Sequence, residues 1–169
     1  MIKTIYTDVR DRITTELSEE IKTVGLFNRQ FDNERTEIPF LFPCVFIEFS
    51  DISYTTEASA IQKGKIEMTL HVGFHQLIED LSMFDIQQAV TAKIHGWSAG
   101  NVGTWTRVRE IQDTAPGNVI DWQIVFTSTF TDTDTYVHND LISTGGLITL
   151  ELTTDLDVDD LVIRTGDGV

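Results

Sequence analysis

Ile66, Met68, Leu70, Val72 and Phe74 alternate with Glu67, Thr69, His71, Gly73 and His75. Side chains on a strand point to opposite faces in turn, so this period of two predicts a β-strand with one buried face. Such a strand needs edge partners and a layer over its apolar side. The layer is legible on both sides of it in the chain. Ile2, Ile5, Val9, Ile13, Leu17, Ile21 and Val24 recur at steps of three and four, which predicts an amphipathic helix over about 2–23 with Gly25 as its stop. Asp8, Asp11, Arg12, Glu16, Glu19, Glu20 and Lys22 fall mostly on its wet side. Met83, Ile86, Val90, Ile94 and Trp97 predict a second helix, with Ser82 as N-cap, Asp85 three residues on and Gly96 as the breaker.

The remaining segments read as strands and connections. Gly25 to Phe31 can form a short strand before the polar run Asp32 to Glu37. Pro39 and Pro43 each disfavour helix at the preceding residue, so the chain arrives extended at CVFIEFSDI, read as a strand buried on most of its length. Tyr54 to Gly64 is polar and small, a loop or the flexible part of a hairpin. Thr104 to Gln112 and Val119 to about Tyr136 read as two more strands, joined by the turn Ala115-Pro116-Gly117-Asn118. In the last strand Ile120, Trp122, Ile124, Phe126 and Phe130 share a face opposite Asp121, Gln123, Thr127, Thr129 and Thr131. Helix, strands, helix, strands with hairpin-length connections specify an α+β fold, an antiparallel sheet packed against two helices.

At 169 residues and 41% hydrophobic content the chain can bury one core without staples. Composition shifts after Tyr136. Residues 137–169 carry Asp140, Glu151, Asp155, Asp157, Asp159, Asp160 and Asp167 against Arg164 alone. We therefore expect a domain over 1–136 and an acidic C-terminal extension over 137–169. Ile148, Leu150 and Leu152 alternate with Leu147, Thr149, Glu151 and Thr153, so part of it could be a strand, and the extension either lies on the domain or adds to a neighbouring subunit.

The 12 Lys and Arg against 27 Asp and Glu, a net charge of −15, argue against gripping nucleic acid or an anionic membrane. Cys44, the single cysteine, excludes an internal disulfide and reads as a buried, inert thiol. Acidic residues near the N-terminus, no apolar run near the ~18 residues of a membrane span, and no Asn-X-Ser/Thr acceptor lead to the expectation of a cytoplasmically made protein.

Motifs for chemistry are weak. Gly96-Trp97-Ser98-Ala99-Gly100 matches a nucleophile-elbow pattern, with Asp121 and His138 downstream, but a helix precedes it and a strand follows, the reverse of the required context. His71 and His75 share a strand face yet stand ~13 Å apart, as do Glu67 and His71, too far for joint metal ligation. They read as exposed or interfacial histidines. Asp155 to Asp160 opens like a calcium loop but has Asp160 where Gly is needed and Gly166 where Glu should close the cage. Asp132 and Asp134 read as a polar strand end. Gly145-Gly146 and Gly100-Asn101-Val102-Gly103 match no phosphate loop. No catalytic, cofactor or metal site is expected.

An N-terminal amphipathic helix and a polar segment lead to Pro39-X-X-X-Pro43-X-Val45-Phe46-Ile47-Glu48-Phe49. A polar hairpin loop, an alternating strand, a helix ending in Ile94-X-Gly96-Trp97 and two strands follow. Over about residues 1–136 this order resembles the tail-terminator, tail-completion and head–tail joining proteins of tailed bacteriophages. The resemblance implies a non-enzymatic virion protein, made in the host cytoplasm, that forms a hexameric ring, or a dodecameric one at connector level. It would join head and tail beside other head, connector or tail-tube proteins, with DNA passing through without specific binding and no membrane involved. By position it places Tyr54, Thr55, Thr56, Glu57, Gln62, Lys63 and Lys65 at the subunit interface. The Thr-rich strand end, with few lysines to block pairing, adds Thr129, Thr131 and Thr133. A competing reading is an adaptor module of a contractile or secretion apparatus. A hydrolase acting through Ser98 is a third.

Overall fold

The computed structural model describes residues 1–31, 40–56, 61–75, 81–115 and 119–132. Glu57, Thr133, His138, Gly145-Gly146, the Asp155–Asp160 run and the extension 137–169 lie outside the described residues. The elements are α1 (Ile2–Glu16), β1 (Thr23–Leu26), β2 (Cys44–Thr56), β3 (Gln62–His75), α2 (Ser82–Ile94), β4 (Thr106–Ala115) and β5 (Val119–Asp132). Met1–Thr55 and Lys63–Thr131 make one compact unit, described by itself.

The five strands form one mostly antiparallel sheet in the order β1-β2-β3-β5-β4, so the α+β class holds. β1 departs from the expected arrangement by pairing parallel to β2, with Thr23 opposite Cys44 and Leu26 opposite Ile47. β4 and β5 pair antiparallel from Thr106 opposite Thr127 to Ala115 opposite Val119, with a bulge between Arg107 and Arg109.

α1 stops at Glu16, not near residue 23. Leu17 and Ile21 are still buried, so the apolar spacing runs on through a turn that has ceased to be helical. Gly25, expected to end the helix, instead lies inside β1 against the Phe46 ring. Ser82 is the first helical residue of α2 and Leu81 its cap, while Gly96 does follow the helix with φ +80°, a conformation that suits a residue without Cβ. The stretch from Tyr54 to Gly64, expected to be a loop or the flexible part of a hairpin, is strand at both ends, because β2 runs to Thr56 and β3 starts at Gln62. Among the described residues no helix is long and apolar enough to cross a membrane.

Both helices lie on one face. Ile5, Val9 and Ile13 of α1 and Val90 and Ile94 of α2 pack with Val45, Ile47, Met68, Leu70, Ile124 and Phe126 from the sheet. Arg12 ties the helix ends together: its Nε donates to the Lys93 carbonyl at 2.7 Å and its guanidinium lies 4.9 Å from the centre of the Trp97 ring. Cations suit a helix C-terminus, where carbonyls lack intrahelical donors. Lys93 in turn reaches Glu16 at 2.9 Å, which lowers the Glu16 pKa through that hydrogen bond and charge.

The opposite face is covered as well, which corrects the expectation that β3 has a single buried face. Phe31, Cys44, Phe46 and Val119 are buried together there, with Phe27, Phe40 and Phe42 packed against them. Gly73 lets this layer close, since a Cβ at that position would lie 2.6 Å from both Cys44 Sγ and the Phe31 ring. From Met68 to Phe74 every residue of β3 is buried.

Candidate functional site

Five of the residues expected at an interface line one cleft at an end of the sheet. Thr55 of β2, Lys63 and Lys65 of β3, and Thr129 and Thr131 of β5 line an open cleft of about 530 Å³. Asn101 and Gly103, from the loop between α2 and β4, complete its wall. That loop is sewn to β5: Gly103 N–H donates to the Thr129 carbonyl at 2.7 Å, and Thr131 N–H to the Asn101 carbonyl at 3.2 Å. The cleft floor depends on Gly64, because a Cβ there would lie 2.1 Å from the Phe130 ring. Tyr54 meets the same ring edge-on, with centroids 5.5 Å apart, and keeps nearly half its surface in solvent. Thr56 and Gln62 end β2 and begin β3. The wall combines hydroxyls, one amide and two ammonium groups with the Phe130 ring.

A second polar cluster went unseen in the sequence. His71 sits on the face of β3 away from the helices, its side chain 5% exposed. Its Nδ1 lies 2.8 Å from Asp121 Oδ2 on β5 and its Nε2 3.0 Å from Glu48 Oε2 on β2. Phe27 stacks on the ring at 3.7 Å with the planes 2° apart. A neutral imidazole has one N–H, so two carboxylate acceptors are both satisfied only by the doubly protonated cation. Burial, the largest single influence, works to lower the His71 pKa, but the hydrogen bonds and charges of Asp121 and Glu48 together outweigh it and the pKa stands above the ordinary value. Asp121 Oδ2 also accepts from Gln123 Nε2 at 2.9 Å, whereas its Oδ1 is buried with no partner.

This arrangement corrects two expectations. His71 is neither exposed nor interfacial, and Asp121 lies in the interior, not on a wet strand face. The two carboxylates approach His71 from opposite ends of the ring, which makes an ion-paired cross-link over three strands. No cluster suited to a metal ion occurs among the described residues. The signal that could have found the triad was the crowd of phenylalanines at 27, 31, 40, 42 and 46, enough to roof the second face.

The Gly96–Gly100 pattern has the context that its sequence suggested. It forms the end of α2 and a turn, with exposed Ser98 followed by Ala99 in an isolated bridge to Val102. Asp121 is committed to His71 on the far face of the sheet. Cys44 is fully buried, and burial pushes its thiol up to about 12.

No protein-family model matches the chain, and no curated protein matches it. Among solved structures, a chain from the virion of a native gene transfer agent particle is similar, with a TM-score of 0.51 at 9% identity. The alignment covers 73% of this chain and 92% of that one. At that identity the likeness establishes a shared fold.

Proposed function

We propose that this protein is a structural component of a phage-like virion, a non-enzymatic subunit of an oligomeric ring at the tail terminus or head-to-tail interface. One observation carries the reading: nearly the whole length of a virion chain, 92% of it, shares this fold. The cleft supports it, since its hydroxyls and two lysines suit a neighbouring acidic subunit. A net charge of −15 also suits a conduit, because fixed cations would retain passing phosphates. The protein is made in the host cytoplasm and ends in the virion, beside head, connector or tail-tube proteins.

The test is mass by light scattering over a concentration series, with electron microscopy of the same samples. Closed rings of six or twelve 19.1 kDa subunits are expected. Exchanging Lys63 and Lys65 for Glu should shift assembly to higher concentration. A monomer at every concentration, with no rings in the images, counts against the proposal.

A further inference from the structure

β4 ends the sheet, paired with β5 on one side and with no strand of the described residues on the other. Open edges are templates for another chain, and charged side chains commonly blunt them. Here the charges are placed so that they match a second copy. Arg109, Ile111 and Asp113 share a face, as their partners Val125, Gln123 and Asp121 on β5 show. Ile111 is 45% exposed, unusual for an isoleucine in the middle of a strand.

We infer that β4 is a self-complementary docking edge, which pairs antiparallel with β4 of a second copy about a two-fold axis through Ile111. Opposed residues in an antiparallel pair point to the same face, so the axis of a symmetric pair must pass through one residue position. Each position can be tried. An axis at Arg109 sets Arg109 against Arg109, one at Glu110 sets Glu110 against Glu110, and one at Asp113 sets Asp113 against Asp113. An axis at Gln112 puts Ile111 opposite Asp113. The axis at Ile111 brings the two isoleucines together, faces each Arg109 with the other copy's Asp113, and sets Glu110 beside Gln112. It alone joins opposite charges and buries apolar on apolar. Arg109 is available for this, since its Glu67 contact is 3.5 Å long and the side chain is 59% exposed.

The experiment uses full-length single-cysteine insertions, because native Cys44 is buried and does not compete. Residues opposed at the axis stand ~4.5–5.5 Å apart at Cα, within disulfide reach. Two Arg109 residues would be ~13 Å apart, beyond it. Under mild oxidation Ile111→Cys should give a covalent dimer at least about tenfold faster than Arg109→Cys, whereas Arg109→Cys with Asp113→Cys should cross-link as Ile111→Cys does. Arg109→Asp or Asp113→Arg alone should weaken self-association about tenfold, and the combined exchange should restore it. All three side chains lie on an exposed edge, and unchanged thermal unfolding would verify the fold. Failure of Ile111→Cys to cross-link, cross-linking of Arg109→Cys as fast, or no rescue by the exchange overturns the inference. Rings without the cross-link would leave the virion reading standing and this edge refuted. The cross-link without rings would do the reverse.

Discussion

Replacing His71 by Leu removes the cation that three strands share. The Asp121 carboxylate, 8% exposed, is then left with Gln123 on Oδ2 and still nothing on Oδ1. Glu48, 43% exposed, can turn to water and costs little. Breaking a buried ion pair by deleting one member costs ~3–5 kcal/mol, because a charge remains uncompensated. His71→Leu should therefore destabilise by about 3–5 kcal/mol in urea unfolding below pH 6.5, where the raised pKa keeps the ring protonated. If Asp121 also becomes Leu, no buried charge remains and the pair is replaced by apolar bulk. The double variant should lie well above the sum of the singles, with a coupling energy of ~2–3 kcal/mol. Additivity within about 0.5 kcal/mol would refute the shared-cation argument.

The same cluster sets a pH dependence. A histidine whose pKa is raised on folding contributes stability that is fully present below its unfolded value, near 6.5, and lost as pH rises through the folded value. Wild-type stability should fall as pH rises above 6.5, and His71→Leu should remove that part of the slope. A wild-type curve rising over the same window would contradict the assignment of His71 as a cation.

Further outcomes follow from packing. Gly64→Ala drives a Cβ into the Phe130 ring and should cost ~1–3 kcal/mol, read as a lower urea midpoint, while disturbing the cleft where Tyr54 stands. Cys44, buried and with its thiol pushed up to about 12, should react with a thiol reagent only when the protein unfolds; fast labelling of the folded protein would contradict its placement. Arg12→Ala loses the hydrogen bond to Lys93 and the Trp97 face, and should cost ~1–2 kcal/mol with faster amide exchange at the C-terminal ends of α1 and α2.

What the sequence disclosed, and what it hid, depended on which layer a residue faces. Ile66 to Phe74 announced β3, and the stripes of α1 and α2 announced the helices, because each pattern reports one apolar side against water. The pattern then misassigned His71 and Asp121 for the same reason. Alternation puts polar residues on the wet face only when that face is wet, and the phenylalanines near β1 and β2 make it a second interior. Ile21 misled about the length of α1, since burial after a turn preserves the spacing of a helix that has ended. In the cleft, the polar character of Thr55, Lys63, Lys65, Thr129 and Thr131 could be read from the sequence, but not their meeting at one end of three strands. The close approach of Gly64 to Phe130 was not, because it joins positions 66 residues apart.

A sheet roofed on both faces has few surfaces left for a partner. α1 and α2 occupy one face and the phenylalanine layer covers much of the other, so in the proposed assembly a partner would meet chiefly the strand ends or the lateral edges. The ends of β2, β3 and β5 carry the lysines and threonines, and the open edge carries the alternating charges of β4. These two surfaces use different forces: the cleft offers donors to an acidic neighbour, whereas the edge offers backbone groups and a register set by Arg109, Ile111 and Asp113. In the proposed assembly, two such unlike surfaces would let one subunit belong to two contacts at once. The His71 cluster has a mechanical role. By clamping β2, β3 and β5, it holds in fixed relation the strands whose ends shape the cleft.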